Sequence, residues 1–590
     1  MGVAWIQNKK LIMHLRCLAF LLVAFIFCLA GLAKPPSAPP EIWAEYDPDA
    51  GEWKEEIVHQ SVKDGILNRE TYLSAWVRGE EIRVYCKYSV QDGLKKAPGL
   101  LNVHGWMGAP AIDKSYVDEG WAVMAFDYCG ESGQRVHFTK YPKVLDHGNM
   151  DRKFGGSVWS KTREGESITD PKQTSDYLWY AVQRRVLSYL LKHKEVDGSR
   201  IGAKGYSYGG TIMWNLGMDP RVQAVVAYFG IGWNEYYRSK RVWMYNQPYL
   251  EPDKTPGEEL YLATIAPQAH VSHMRAATLF LNGTNDHHGG HERGQESFKL
   301  FQKGVPWSFA QQARGHHNTE KIGQNTRIWL NRQVLKKETF WPGHPSSQII
   351  LDSSGVPQMV IEASSPERVS KVEVFHAIKS PSSFSRSWRD AQVVQAGKNR
   401  WTASLPVLDV KDYVFSFANL TYDNTVVRST DFEAAIPAAL GKARATDKRS
   451  STLYTGDDGI GVWTDVAEVE GPGGIKGFRS TNKRRGSGTE QLADPKWQAP
   501  EGTDLGFDFY CTQPVTLTFV AENQYEGTIE ITASDDWQKM IIDRKTLLNR
   551  FNKKPLSGWE KVGKIKFLPK GDSDITKVIF SEFRWVKNKN

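Results

Sequence analysis

The sequence predicts an α/β domain built on a mainly parallel sheet, followed by two all-β sandwich domains. Three observations lead there. Up to about residue 342, short apolar stretches alternate with amphipathic helical segments. Beyond Pro342 the helical periodicity stops, and short alternating stretches are split by turn residues. The length, 590 residues, exceeds what one hydrophobic core serves. At roughly 100–200 residues per domain it calls for about three domains, one of them large.

In the first part, Ile82 to Tyr88 alternates as a half-buried strand does. Gly99–Val103 and Trp121–Phe126 are short apolar strands, ending in His104-Gly105 and in Asp127. Between Ser175 and His193, Leu178, Ala181, Val182, Val186, Tyr189 and Leu190 recur at spacings of three and four, which is one face of a helix. Ile201–Tyr206 is the next strand, and helix resumes over 211–217. Val222–Phe229, Thr278–Asn282 and Trp307–Gln311 are further strands, and Thr319–Val334 is a last helix. Strands alternating with helices imply a sheet covered on both faces. This domain is expected over 71–342, after a polar lead-in at 34–70.

Met359–Glu362, Val369–Phe375, Trp401–Leu405 and Tyr413–Phe417 predict a small sandwich over 348–432. An Ala-rich linker follows at 434–451. Leu505–Phe509, Val515–Phe519, Thr528–Thr532, Lys564–Phe567 and Lys577–Phe580 alternate by two and predict a jelly-roll, galactose-binding-like domain over 452–590.

The net charge of +8 is a mild excess for this length, and the chain holds no recognisable nucleic-acid module. Its densest basic cluster, Lys483-Arg484-Arg485, reads as a solvated turn that could also meet an acidic polymer. At the N-terminus, Lys9, Lys10 and Arg16 precede an apolar run from Leu18 to Leu29 and a small-residue exit at Ala30, Gly31 and Ala33. These are the parts of a secretory signal over 1–33, so an exported protein, periplasmic or extracellular, is expected. No other stretch is long and apolar enough to span a bilayer. After cleavage Cys86, Cys129 and Cys511 remain, which is no disulfide framework, and a Cys86–Cys129 bridge is the pairing to test.

The strongest chemical signal is Gly205-Tyr206-Ser207-Tyr208-Gly209-Gly210, lying between a strand and a helix. A serine there occupies a strained turn, its hydroxyl held above the sheet edge, while glycines let neighbouring backbone pass close by. The helix that follows aims its first N–H groups at the same spot. A serine hydroxyl needs a base, and the base an orienting carboxylate. Asp286, at the end of Thr278–Asp286, supplies the acid. Arg314-Gly315-His316-His317-Asn318 supplies the base: His316 is preferred because it follows glycine directly, with His317 as the alternative. The oxyanion hole is expected from the N–H of Tyr208 and one from His104-Gly105-Trp106, with Gly105 and Trp106 as candidates. His287, His288 and His291 resemble a metal cluster, but the paired glycines oppose a helix aligning them, so no metal is expected. Gly471–Gly477 lacks the spacing and the Ser/Thr of a phosphate loop, and no cofactor is expected.

Asp197–Gly202 leading into the serine motif resembles the dienelactone-hydrolase and prolyl-oligopeptidase branch of the α/β-hydrolase superfamily, near bacterial acetyl-xylan-esterase-like proteins. Leu281–Asp286 is similar to that branch's acid loop, and Phe126–Gly133 to its early Asp-x-x-Gly-x-Gly turn. The resemblance covers about residues 75–340 and implies an α/β-hydrolase fold and a serine hydrolase. Prolyl peptidases of this branch usually carry a β-propeller before the catalytic domain, for which about 40 residues leave no room. That weighs against a peptidase, and export, the triad and the appended β-domains lead to the expectation of a secreted carbohydrate esterase acting on a polysaccharide or an acylated small molecule. Trp159, Trp233, Tyr236 and Tyr237 are candidates to line a sugar-facing cleft, and Asp535-Asp536-Trp537 and Trp559 to offer a sugar-stacking ring. A serine peptidase, with Glu131 or Glu235 holding the peptide amine, is the competing expectation.

Overall fold

The computed structural model describes residues 36–131, 135–150, 168–231, 255–288, 291–379, 383, 386–460 and 462–587. The signal segment and Trp159, Trp233, Glu235, Tyr236 and Tyr237 lie outside the described residues. Among the described residues no helix is long and apolar enough to cross a membrane.

A nine-stranded sheet organises the first part. Its strands are β1 (Glu56–Lys63), β2 (Ile66–Val77), β3 (Glu80–Gln91), β4 (Ala97–Val103), β5 (Ala122–Phe126), β6 (Val196–Tyr206), β7 (Ala224–Tyr228), β8 (Ala277–Gly283) and β9 (Trp307–Gln312). They lie in the order β1-β2-β3-β5-β4-β6-β7-β8-β9. The first three strands and the β3–β5 pairing are antiparallel, and every pairing from β5 through β4 to β9 is parallel. The parallel strands β4, β5, β7 and β8 are almost wholly buried, as strands covered on both faces must be, whereas β6 is buried only in its second half, at Ile201–Ala203 and Gly205.

The sheet reaches back into the stretch expected as a lead-in. β1 is an edge strand exposed along most of its length, so its sequence carries no apolar alternation. Ahead of it, Ile42 and Trp43 are buried, and Trp43 stacks on Tyr177 with ring centroids 5.1 Å apart.

Helix α1 (Ser175–Lys192) is capped by Thr174, whose hydroxyl accepts from the Tyr177 N–H, and it is buried from Ser175 to Leu190. Helix α2 (Tyr208–Leu216) begins directly after Ser207, earlier than periodicity predicts. Helix α3 spans His291–Phe298. Helix α4 (Asn325–Gln333) is shorter than expected, because Thr319 to Asn325 makes i to i+3 turns across Gly323, a weak helix former. The side-chain amide of Asn325 pairs instead with both backbone groups of Val427.

Downstream, a four-stranded and a five-stranded antiparallel sheet, together spanning 346–435, enclose one core around Met359, Val374, Trp401 and Leu420. Two six-stranded sheets spanning 452–587 pack around Phe478, Phe507, Phe567 and Phe580. Trp559 is wholly buried there and donates its indole N–H to Asp504 at 3.0 Å, so it offers no face to a sugar. Trp537 is half-buried against Gly471 and donates to the Pro472 carbonyl at 3.1 Å. Cys86 and Cys129 are buried free thiols, and no bridge joins them.

Candidate active site

Ser207 stands at the end of β6 with φ +58° and ψ −121°, a conformation that L residues rarely adopt. The strain is held in place by close backbone packing. A Cβ on Gly205 would meet the Gly209 carbonyl oxygen at 2.1 Å. One on Gly209 would meet Val103 O at 2.4 Å, and one on Gly210 would meet Tyr228 O at 2.2 Å. The three glycines therefore let the turn nest between the ends of β4 and β7. The Ser207 N–H is bonded to Tyr228 O at 3.0 Å, and the serine is half-exposed.

The acid and base loops are laced to each other. Thr284 N–H donates to Gln312 O at 3.0 Å, Asn285 N–H to Gly315 O at 2.8 Å, and Arg314 N–H to the Thr284 hydroxyl at 2.9 Å. A Cβ on Gly283 would sit 2.2 Å from Gly315 O, so these loops also need glycine to touch. Asp286 is fully buried; one oxygen accepts from the His288 N–H at 2.6 Å, and the other lies 2.6 Å from His317 Nδ1. With Nδ1 committed to Asp286, Nε2 is the nitrogen left to take a proton. The His317 ring stacks on Phe229, centroids 4.2 Å apart, and meets Tyr206 edge-on at 5.4 Å. The Tyr206 hydroxyl donates to His317 O at 2.8 Å, tying the base loop to the residue before Ser207.

His316, the preferred base from sequence, does not meet Asp286. Its Nε2 lies 3.2 Å from Glu490, in the last sandwich. Glu490 also takes Lys564 at 2.7 Å. Burial opposes charge on His316, but the hydrogen bond and charge of Glu490 outweigh it and raise the pKa above the ordinary histidine value. Burial likewise disfavours the Glu490 carboxylate, and His316 and Lys564 overcome this and lower its pKa. Following a glycine says nothing of which way a side chain points; the cross-loop bonds set that.

The loop after β4 is organised by Asp127, whose sequence signal is only that of a turn motif. Asp127 is fully buried; it takes the Thr139 N–H at 2.6 Å and Arg135 at 3.1 Å, and lies 3.4 Å from His104 Nε2. Arg135 also donates to Gly108 O at 2.9 Å. His104 to Gly108 is thereby held against the elbow, where a Cβ on Gly105 would lie 3.1 Å from Ser207 Cβ. Trp106 is partly exposed and packs edge-on against the buried Tyr208 at 5.4 Å. Tyr208 opens α2, and its hydroxyl donates to buried Asp176, which also accepts from Tyr261 at 3.0 Å.

Both downstream sandwiches reach the loops that carry Asp286 and His317. Arg386, from the first, ion-pairs with Glu292 of α3 at 2.7 Å with both side chains buried, and its carbonyl accepts from the Asn285 side chain at 2.8 Å. Arg389 pairs with Asp494 and Asp447, joining the two sandwiches. No sequence signal links residues so far apart. Asp286, His287 and His317 also bring one potential metal-ligating atom each within 4.8 Å of one another, but the Asp286–His317 contact already accounts for two of them.

A cleft of about 1150 Å³ opens over these loops. Tyr206, His287 and His317 line one side; Trp463, Arg485, Lys564 and Lys566 of the last sandwich line another.

The sheet order with its strained serine and the loops beside it define an α/β-hydrolase domain, and the class is that of the serine hydrolases. Within that class, residues 183–334 match the prolyl oligopeptidase family, Peptidase S9. No curated protein matches the chain. Among solved structures, acetyl xylan esterase 1 of a Thermoanaerobacterium species is 18% identical, with TM-score 0.38, covering 50% of this chain and 94% of that one. A puromycin-hydrolysing peptidase of Mycobacterium tuberculosis is 18% identical, TM-score 0.33, covering 45% and 40%. Pyrococcus horikoshii acylaminoacyl peptidase is 14% identical, TM-score 0.32, covering 50% and 52%. Likeness at this level says nothing about substrate.

Proposed function

We propose that the protein is an exported carbohydrate esterase in which Ser207, His317 and Asp286 form the triad. The observation that carries the chemistry is the 2.6 Å contact of His317 Nδ1 with buried Asp286, beside a serine held at φ +58°. Ser207 Oγ attacks the acyl carbon while His317 Nε2 takes its proton. The Tyr208 N–H and one from Gly105 or Trp106 stabilise the oxyanion. The alkoxide leaves with the proton from Nε2, and water, activated by the same nitrogen, releases the acid and frees the serine. The Asp286 carboxylate steadies the imidazolium throughout.

A sugar ester fits the open, polar cleft that one sandwich helps to wall. The family match keeps a peptidase as the competing reading. The test is release of acetate from a chromogenic acetyl ester and from acetylated xylan, beside a panel of aminoacyl and peptide anilides, with wild type and Ser207→Ala. Turnover of acetyl esters alone, abolished in the variant, is expected. Turnover of the anilides with the esters untouched overturns the esterase reading.

A further inference from the structure

We propose that the last sandwich contributes an anion-binding subsite to the substrate cleft, formed by Arg485 and Lys566, which seats a carboxylate or sulfate group of an acidic glycan. The inference rests on the esterase reading above and narrows its substrate class.

The two cations are placed by adjacent strands. Ser487–Thr489 pairs with Ile565–Pro569, Gly488 standing opposite Lys566. A Cβ on Gly488 would lie 3.2 Å from Lys566 Cγ, so the lysine stem lies close over this glycine. Lys564 and Lys566, two apart on one extended segment, share a face, and Arg485 enters from the turn just before Ser487.

The charges in the cleft do not cancel. Lys564 is committed to Glu490, which also holds His316. Arg314, on the same rim, is paired with Asp390. Glu320 and Asp465 also line the cleft, both exposed. Yet among the described residues neither Arg485 nor Lys566 has a carboxylate within ion-pair distance, and neither takes part in any other polar contact through its side chain. Burial and the charges of Lys564 and Arg485 lower the Lys566 pKa, and the opposing charges of Asp465 and Glu490 offset this only in part, so bringing an anion here relieves crowding of like charge. The cations stand in the same cleft as Tyr206 and His317. That suits a polymer whose acyl group is at Ser207 while an acidic residue of the same chain reaches the sandwich.

The test compares wild type with the Arg485→Gln/Lys566→Gln double variant on four substrates: a small neutral acetyl ester, uronate-bearing acetylated xylan, the same xylan after carboxyl reduction, and an acetylated sulfated galactan. Both positions are exposed or half-exposed, and an unchanged melting temperature confirms folding. The variant is expected to keep its rate on the small ester and on reduced xylan, while KM rises about tenfold on an acidic glycan, as befits loss of solvent-screened charge-assisted contacts. The rise on xylan alone assigns a carboxylate, and on the galactan alone a sulfate. An equal KM on all polymers, or an equal rise on reduced and unreduced xylan, overturns the subsite. Should wild type turn over no ester at all, the esterase reading fails separately. Binding of uronate-bearing and carboxyl-reduced xylan oligosaccharides to Ser207→Ala, with and without the two substitutions, then decides the subsite: a preference for the acidic form lost with the cations supports it, and no preference overturns it.

Discussion

The turn after β6 and the loop after β9 each carry a residue of the proposed triad, but different forces place them. Ser207 is positioned by its immediate neighbours: glycines at 205, 209 and 210 are required because other backbone comes within van der Waals contact. His317 is positioned by distant chain. Hydrogen bonds from Thr284, Asn285 and Arg314 lace its loop to the acid loop, and Glu490 draws the adjacent His316 away. A strained turn is therefore legible in a few residues, whereas a choice between neighbouring histidines is made by tertiary contacts.

The contrast can be broken at its strongest points first. Ser207→Ala and Asp286→Asn should each lower kcat on a small acetyl ester by on the order of 10³-fold or more, with the fold retained by circular dichroism. A melting-point survey should next find Gly205→Ala destabilised by roughly 3 kcal/mol or more, since the added carbon meets fixed backbone at 2.1 Å. A Gly205→Ala protein that melts with wild type would show the elbow to be less constrained than this packing implies. Arg386→Met leaves Glu292 buried without its partner and should cost about 3–5 kcal/mol in denaturant titration. An Arg386→Met/Glu292→Leu double variant should recover much of that loss.

The smallest effect is expected at Glu490. Glu490→Gln should cost roughly 0.5–1 kcal/mol, because His316 is more than one-third exposed and solvent screens the pair. The sign with pH follows from both partners. The raised pKa of His316 gives stability that is complete below the ordinary value of 6.5 and disappears as pH rises through the folded value. The lowered pKa of Glu490 gives stability that is complete above the ordinary 4.5 and disappears on acidification through the folded value. The melting-temperature gap between wild type and Glu490→Gln should thus be widest near about pH 5–6 and narrow at pH 9. A gap that widens steadily to pH 9 would contradict the pairing.

Much of the architecture is readable without coordinates. Val222–Phe229, Thr278–Asn282 and Trp307–Gln311 read as strands, because buried parallel strands are nearly continuous apolar runs, and they match β7 to β9 within about two residues. The strand at Glu56–Lys63 escapes, since an edge strand exposed along most of its length has no period to detect. Trp559 shows the reverse failure. An aromatic residue in a β-domain reads equally well as a sugar platform or as core, and only its complete burial against Asp504 decides. Glu490 and Arg386 carry no local signal at all; the partners they meet in the first domain, His316 and Glu292, lie 174 and 94 residues earlier in the chain.

In the proposed mechanism one histidine of the adjacent pair, His317, serves Ser207. The direct measurement is kcat/KM of His317→Ala and His316→Ala on a small acetyl ester at pH 7.5, each with its melting temperature. His317→Ala should lose on the order of 10³–10⁴-fold, and His316→Ala less than about tenfold. The opposite ranking, with both proteins folded, would place the base at His316 and contradict the account.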